Sequence, residues 1–79
     1  MGEERIEVSA YAGYRGEESP RVLLRGGTRI EVVKVLDRWT EEAASGHKRR
    51  SCFKVKGSDF RTHVVCYDEE SLAWFYIRG

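Results

Sequence analysis

The fold is decided by the stretch Thr28–Trp39, TRIEVVKVLDRW, which is the longest run of β-branched and apolar residues in the chain and contains no glycine or proline. Residues of this kind fit the pleated, half-buried surface of a β-sheet. The stretch therefore predicts a long central strand. We expect the segments before it to pair back onto it and the segments after it to form hairpins that close over it.

The apolar pattern changes phase inside this stretch. Ile30 and Val32 alternate with polar residues, but Val33 and Val35 fall on the other parity. A β-bulge near Val33 and Lys34 would switch the buried face and bend the strand. Such a bend is what a small barrel needs at a corner.

The glycine pair Gly26-Gly27 predicts a two-residue hairpin before the central strand, because both central positions of a type I′ turn need positive φ. The resulting register places Leu23 opposite Ile30, which we expect to be a core pair. It also places Leu24 opposite Arg29 on the other, mixed face.

The rest of the chain divides into short strands joined by turns. Strands are predicted at 5–12, 21–25, 51–56, 61–67 and 72–78, which makes six with the central one. Residues 1–4 are expected to be disordered, and residues 40–50 to form a long mobile loop in which Thr40 could begin one helical turn. We expect a single all-β domain over residues 1–79, an antiparallel meander closing into a small SH3-like barrel with no long helix.

Size and composition limit the function. Seventy-nine residues with 41% apolar content leave little material for a deep pocket once the core is filled. The longest apolar run, residues 72–77, is too short to cross a membrane, and the N-terminus lacks the pattern of a signal peptide. No phosphate loop, nucleophile elbow or Cys/His nucleophile pattern is present. The sequence predicts a cytoplasmic, non-enzymatic module with no membrane contact and no cofactor.

The charges are distributed unevenly along the chain. Residues 21–61 carry eleven basic and five acidic side chains, a net +6, whereas residues 1–20 carry −3 and residues 62–79 carry −2, which gives the total of +1. If the fold keeps these segments apart, one face carries a positive potential. The alternative is that the charges intermix over a small barrel surface.

The basic region between residues 47 and 61 is the first candidate for a binding site. Six cations in the fourteen residues 48–61 could contact phosphates, and Arg38 and Trp39 on the other side of the long loop could stack on a base. The nucleic-acid candidates are Arg38, Trp39, Lys48, Arg49, Arg50, Lys54, Lys56 and Arg61. The alternative is that the lysines protect a hairpin edge from aggregation.

A protein partner is the second hypothesis. Val22, Leu24 or Phe75 could form an exposed apolar face, or an open strand edge could accept a partner strand. Residues 72–78 are apolar on both faces, so a covered outer face would indicate a homodimer. Trp74 is expected in the core and Trp39 half exposed.

The cysteines and histidines do not predict a metal site. Cys52, Cys66, His47 and His63 lack the usual ligand spacing, and His63 and Cys66 would lie on opposite faces of one strand. If the hairpin turn is centred on Asp59, Cys52 lies directly opposite Cys66 and the thiols can approach. A cytosolic location favours the reduced thiols. Asp37 is expected to accept backbone N–H groups, and no catalytic residue is predicted.

Three motifs carry a resemblance to a known family. EVVKVLDRW at 31–39, FKVKG at 53–57 and YDEE at 67–70, followed by Trp74, together resemble a family of small bacterial domains of unknown function. The match covers about residues 20–78. Some members of that family resemble the C-terminal tail of proteins related to error-prone DNA polymerases. The resemblance implies proximity to DNA repair and supplies no catalytic residues.

Overall fold

The computed structural model describes residues 2–12, 18–42 and 49–78, with only the backbone for residues 10–12 and 18. These residues form six antiparallel strands that close into a barrel in chain order, and none of them lies in a helix that could cross a membrane. The predicted all-β, SH3-like barrel is confirmed. The strands are β1 Gly2–Ala12, β2 Glu18–Arg25, β3 Thr28–Glu42, β4 Arg49–Gly57, β5 Thr62–Asp68 and β6 Ala73–Arg78.

The 15-residue strand β3 pairs with different neighbours along its length. It pairs with β2 from Thr28 to Glu31 and with β4 from Val32 to Glu42. The register shifts between Val32 and Lys34, which confirms the predicted bulge, and it shifts again between Val35 and Asp37. Two bulges in one strand bend it enough to turn the corner of the barrel.

The hairpin between β2 and β3 has the predicted geometry. Gly26 and Gly27 have φ values of 57° and 83°, as a type I′ turn requires. Leu23 lies opposite Ile30 and Leu24 opposite Arg29. The glycine pair therefore sets the register that brings the apolar face of both strands into the core.

The core fills the barrel from the inward-facing positions of all six strands. Its aromatic part is Trp74, whose ring centroid lies 5.1 Å from that of Tyr67 and 5.9 Å from that of Phe53. The predicted core position of Trp74 agrees with its burial. The buried members of the core are Ile6, Leu23, Ile30, Phe53, Val55, Val65 and Trp74.

The structure differs from the sequence prediction at two segments. Residues 2–4, expected to be disordered, lie in β1 and pair with β6, and the Glu4 carboxylate lies 3.3 Å from Nε of Arg25. Residues 40–42 and 49–50, expected in a mobile loop, extend β3 and β4 and pair with each other. The helical turn expected at Thr40 is wrong because cross-strand pairing holds that residue extended. Residues 43–48, the rest of that loop, lie outside the described residues.

Candidate nucleic-acid interface

The outer face of β3 and β4 carries a row of lysines. Lys54 and Lys56 alternate with the buried Val55 and are exposed, and Lys56 lies directly opposite Lys34 of β3. We call Lys34, Lys54 and Lys56 the lysine track. At one end of the track, Trp39 lies opposite Cys52 on the same outer face. Cys52 and Lys56 are four positions apart, a length of about 13 Å at the rise of a β-strand.

The ammonium groups of the lysine track form no close ion pair in the described part of the chain. Among the described residues, no carboxylate forms an ion pair with Lys34, Lys54 or Lys56. Asp37 lies opposite Lys54, but its Oδ1 accepts the backbone N–H of Arg38 at 2.8 Å. Like charges directly opposite each other on neighbouring strands are destabilising. The ammonium groups of Lys34 and Lys56 therefore repel each other, although both side chains are exposed to solvent, which screens the repulsion.

The turn between β4 and β5, residues 58–61, projects an aromatic side chain at the other end of the track. Phe60 is 88% exposed and has a φ of 65°, a conformation that non-glycine residues rarely adopt. Its N–H donates to the Gly57 carbonyl at 3.0 Å, and the Gly57 N–H donates to the Arg61 carbonyl at 2.8 Å. The N–H of Ser58 ties the turn to the Glu31 carbonyl of β3 at 2.7 Å.

A buried histidine anchors the same turn to the core strands. His63 is 5% exposed; its Nε2 lies 3.0 and 3.1 Å from the two carboxylate oxygens of Asp59. Its Nδ1 lies 2.7 Å from the Tyr76 hydroxyl. Asp59 also accepts the Arg61 N–H at 3.1 Å. The hydrogen bond from His63, helped by that of Arg61, holds the pKa of Asp59 below its ordinary value of 3.8.

Phe60 is the functional candidate that sequence reasoning missed. The glycine, serine and aspartate at 57–59 indicated a turn, and the following strand was expected to begin at 61. The available signal was an aromatic residue directly after a turn sequence, where a polar residue or glycine is usual. Arg61, which was predicted as a site residue, is exposed beside it in the same turn.

The remaining predicted cations lie elsewhere and are mostly paired. Arg49 lies 3.6 Å from a carboxylate oxygen of Glu42. Arg50 forms an ion pair with Glu3, and its guanidinium lies 5.1 Å from the ring centroid of Phe75. The predicted residue Lys48 lies outside the part of the chain that the structure describes.

Arg38 and Trp39, which were predicted to act together, start from different faces of β3 but line the same cavity. Arg38 lies opposite Phe53 and Trp39 opposite Cys52, so their side chains belong to opposite faces of β3. Arg38 contributes to a cavity of about 670 Å³ at the mouth of the barrel. Trp39 also lines this cavity, and the other lining residues include Thr40, Ser51, Phe53, Tyr67, Glu69 and Trp74.

The predicted protein-binding residues do not form one patch. Val22 is half-buried and Leu24 is exposed, and the ring of Phe75 lies under the Arg50 guanidinium. Among the described strands, β3 pairs only with β4 beyond Glu31. That leaves a length of strand edge, where Val33 and Leu36 are exposed.

Cys52 and Cys66 lie opposite each other, as the register predicted. The structure joins them in a disulfide with the Cα atoms 4.0 Å apart. His63 is turned to the core on the inner face of the same strand, so it does not approach the sulfurs. His47, the fourth residue considered at the sequence level, lies outside the described residues.

Comparison with protein-family models, with curated proteins and with solved structures found no match to this chain. The resemblance to small bacterial domains therefore stays a prediction.

Proposed function

We propose that this barrel is a non-enzymatic module that binds single-stranded nucleic acid along the lysine track, between Trp39 and Phe60. The observation that carries the proposal is the Lys34–Lys56 pair, which forms no ion pair with a described carboxylate, next to a hydrogen-bonded turn that exposes Phe60. Phosphates would lie against the ammonium groups, and bases would stack on the two aromatic rings.

This combination matches the physics of single-strand binding. Positive side chains that follow the backbone supply affinity without sequence preference, and aromatic side chains stack on any base. The backbone of Phe60 is held before binding by its hydrogen bond to Gly57, and the Asp59–His63 contact holds the same turn. Stacking of a base therefore orders the phenyl ring but does not have to order the turn.

The first experiment measures the anisotropy of a labelled single-stranded oligonucleotide over a series of salt concentrations. The test variant is Lys34→Ala/Lys56→Ala. The control is Arg5→Ala/Arg78→Ala, whose exposed cations lie across the barrel on β1 and β6. Both double variants lower the net charge from +1 to −1, so they change the long-range field alike.

The lysine variant is expected to bind more weakly and with a weaker salt dependence. The slope of log K against log salt should become shallower by about 1.4, because each phosphate contact on a single strand contributes about 0.7. The control should keep the slope of the original protein. Equal losses in the two double variants would contradict a localised site and would indicate attraction by net charge alone.

Phe60→Ala tests the contribution of base stacking to the binding affinity without changing the charge of the protein. Removing the ring should weaken binding about 5- to 150-fold, from about 1–3 kcal/mol per stacked base, and leave the salt slope unchanged. Leu72→Ala is the matched control, since Leu72 is also exposed (71%) with positive φ, at the turn between β5 and β6. Unchanged affinity in Phe60→Ala would remove the stacking part of the proposal.

A second function has one specific observation in its favour. The edge of β3 beyond Glu31, with Val33 and Leu36 exposed, could accept a strand from a protein partner. Sedimentation of the protein alone tests the simplest case, a homodimer through two such edges. A Val33→Lys variant should then be monomeric, and a protein that is monomeric at all concentrations would exclude that dimer.

A further inference from the structure

Three ligating side chains from neighbouring strands meet on the outer face of the barrel. Cys52 of β4 lies opposite Cys66 of β5 on one side and opposite Trp39 of β3 on the other. Glu41 follows Trp39 by two residues and so shares its face. A carboxylate oxygen of Glu41 and the two sulfur atoms all lie within 4.8 Å of one another.

The two sulfurs can exist in two covalent states. In the structure they form a disulfide. A dithiol reduces this bond by giving two electrons and two protons and becomes a disulfide itself; a phosphine does so with one water molecule, which supplies the two protons and the oxygen of the phosphine oxide. Metal binding would then release the two thiol protons, because the thiolate is the ligand.

We propose that reduced Cys52 and Cys66, together with Glu41, bind a thiophilic divalent cation such as Zn²⁺. Zinc is held by thiolates at about 2.3 Å and by carboxylate oxygens at about 2.0–2.2 Å in a tetrahedral arrangement. Two sulfurs around such an ion lie about 3.8 Å apart. The ligand atoms here are already grouped on that scale, so side-chain rotation suffices and the strands need not move.

The surroundings of the three ligands support this site. The Trp39 indole N–H donates to a Glu41 carboxylate oxygen at 3.0 Å and so orients the carboxylate, as outer partners of metal ligands do. Both cysteines are fully buried and Glu41 is exposed. The ion would therefore enter from the Glu41 side, and a water molecule would complete the four ligands there.

This inference does not depend on the proposed nucleic-acid binding. The experiment titrates the full chain with Co²⁺ as a spectroscopic substitute for Zn²⁺, without oxygen and after reduction with a phosphine. The reduced protein is expected to show sulfur-to-cobalt charge-transfer absorption and the visible bands of tetrahedral Co²⁺, both abolished by added Zn²⁺. The disulfide form should show neither. A reduced protein without charge-transfer absorption would overturn the proposal.

A matched pair of variants tests the carboxylate ligand. Glu41→Gln should weaken Co²⁺ binding at least about tenfold, the scale on which even outer partners of metal ligands act. Glu42→Gln removes the same charge one residue away, from a side chain paired with Arg49, and should bind Co²⁺ as the original protein does. Both substitutions are at exposed positions and leave the cysteines in place. Equal affinity of the two variants would overturn the three-ligand site.

Discussion

At the scale of single residues, the Tyr76 hydroxyl decides whether the buried His63 is satisfied. Tyr76→Phe keeps the aromatic ring, which packs against the imidazole at 5.6 Å, and removes only the partner of Nδ1 at 2.7 Å. A buried polar atom left without a hydrogen bond costs about 1–3 kcal/mol. We expect the free energy of unfolding, measured in urea, to fall by that amount.

The control for this substitution is Tyr67→Phe. Tyr67 also packs its ring against the core, at 5.1 Å from Trp74, and is half-buried. Its substitution should change the free energy of unfolding by less than about 0.5 kcal/mol. Equal effects of the two substitutions would mean that the hydrogen bond to His63 contributes nothing to stability.

Asp59 makes the stability of the barrel depend on acidic pH. The hydrogen bond with His63, supported by that of Arg61 and by the charge of the imidazole, lowers the pKa of Asp59 in the folded state below 3.8. A group with a lowered folded pKa stabilises the fold above its unfolded pKa and loses that contribution as the pH falls through the folded value. The contribution of the Asp59 carboxylate should therefore be present at pH 5 and decline below about pH 4.

Asp59→Asn tests this dependence. The difference in urea midpoint between the original protein and the variant should be largest above pH 4 and shrink as the solution is acidified. Asp37→Asn, at an exposed position of β3, controls for the loss of one carboxylate. A difference that stays constant from pH 5 to pH 2 would contradict the role of the Asp59 charge.

At the scale of the strands, the closest approach lies where β3 and β4 meet the turn at 58–61. Gly57 pairs with Val32 beside the first bulge. A Cβ atom at Gly57 would lie 2.7 Å from Cγ2 of Ile30 and 2.7 Å from Oδ1 of Asp59. Glycine therefore ends the FKVKG sequence, because the neighbouring side chains leave no space for a Cβ atom at this position. We expect Gly57→Ala to reduce the free energy of unfolding by about 1–3 kcal/mol through overpacking.

Gly26→Ala provides the comparison, because a Cβ atom there would meet nothing within 4 Å. Its cost should come from the positive φ of 57° instead, at about 1–2 kcal/mol. Only Gly57→Ala should disturb the environment of His63, which an NMR titration of the imidazole would detect. A Gly57→Ala protein as stable as the original would show that the neighbouring side chains yield without cost.

The strands also show where sequence reasoning succeeds and fails. The first bulge was predictable because the apolar phase of Thr28–Trp39 changes at Val33. The second bulge, between Val35 and Asp37, was not predictable. Apolar residues there fall at both odd and even positions, so the alternation of apolar and polar residues shows no change. The extension of β3 to Glu42 was missed because Thr-Glu-Glu-Ala-Ala favours a turn locally. Its strand partners, Arg49 and Arg50, are recognisable only once the hairpin forms.

The candidate site was predictable in its charges and not in its geometry. Lys54 and Lys56 were placed outward by alternation with Val55, and Trp39 was expected to be partly exposed. Lys34 lies opposite Lys56 because the pairing of β3 with β4 shifts by one residue at the first bulge. Phe60 was missed because its exposure depends on hydrogen bonds made by Asp59 and His63.

At the scale of the whole molecule, barrel closure distributes the charges. The acidic N-terminal strand reaches the basic middle of the chain, where Glu4 pairs with Arg25 and Glu3 with Arg50. The lysine track on β3 and β4 forms no such ion pair among the described residues. A net charge of only +1 therefore coexists with a localised positive surface, because closure pairs some cations and leaves others exposed.

The disulfide acts on the whole chain, because it restricts the unfolded state more than it changes the folded one. Cys52 and Cys66 are 14 residues apart and lie on strands that pair regardless of the bond. Closing a loop of about 15 residues is worth about 3 kcal/mol. Reduction should lower Tm by about 12–24 °C, at about 4–8 °C per kcal/mol for a domain of this size, without altering the circular dichroism of the barrel.

The measurement is made with a chelator present, so that bound metal cannot replace the lost stability, and Cys52→Ala/Cys66→Ala should melt near the reduced protein. Equal Tm values with and without reductant, once free thiols are verified, would mean that the unfolded chain already keeps these two strands together.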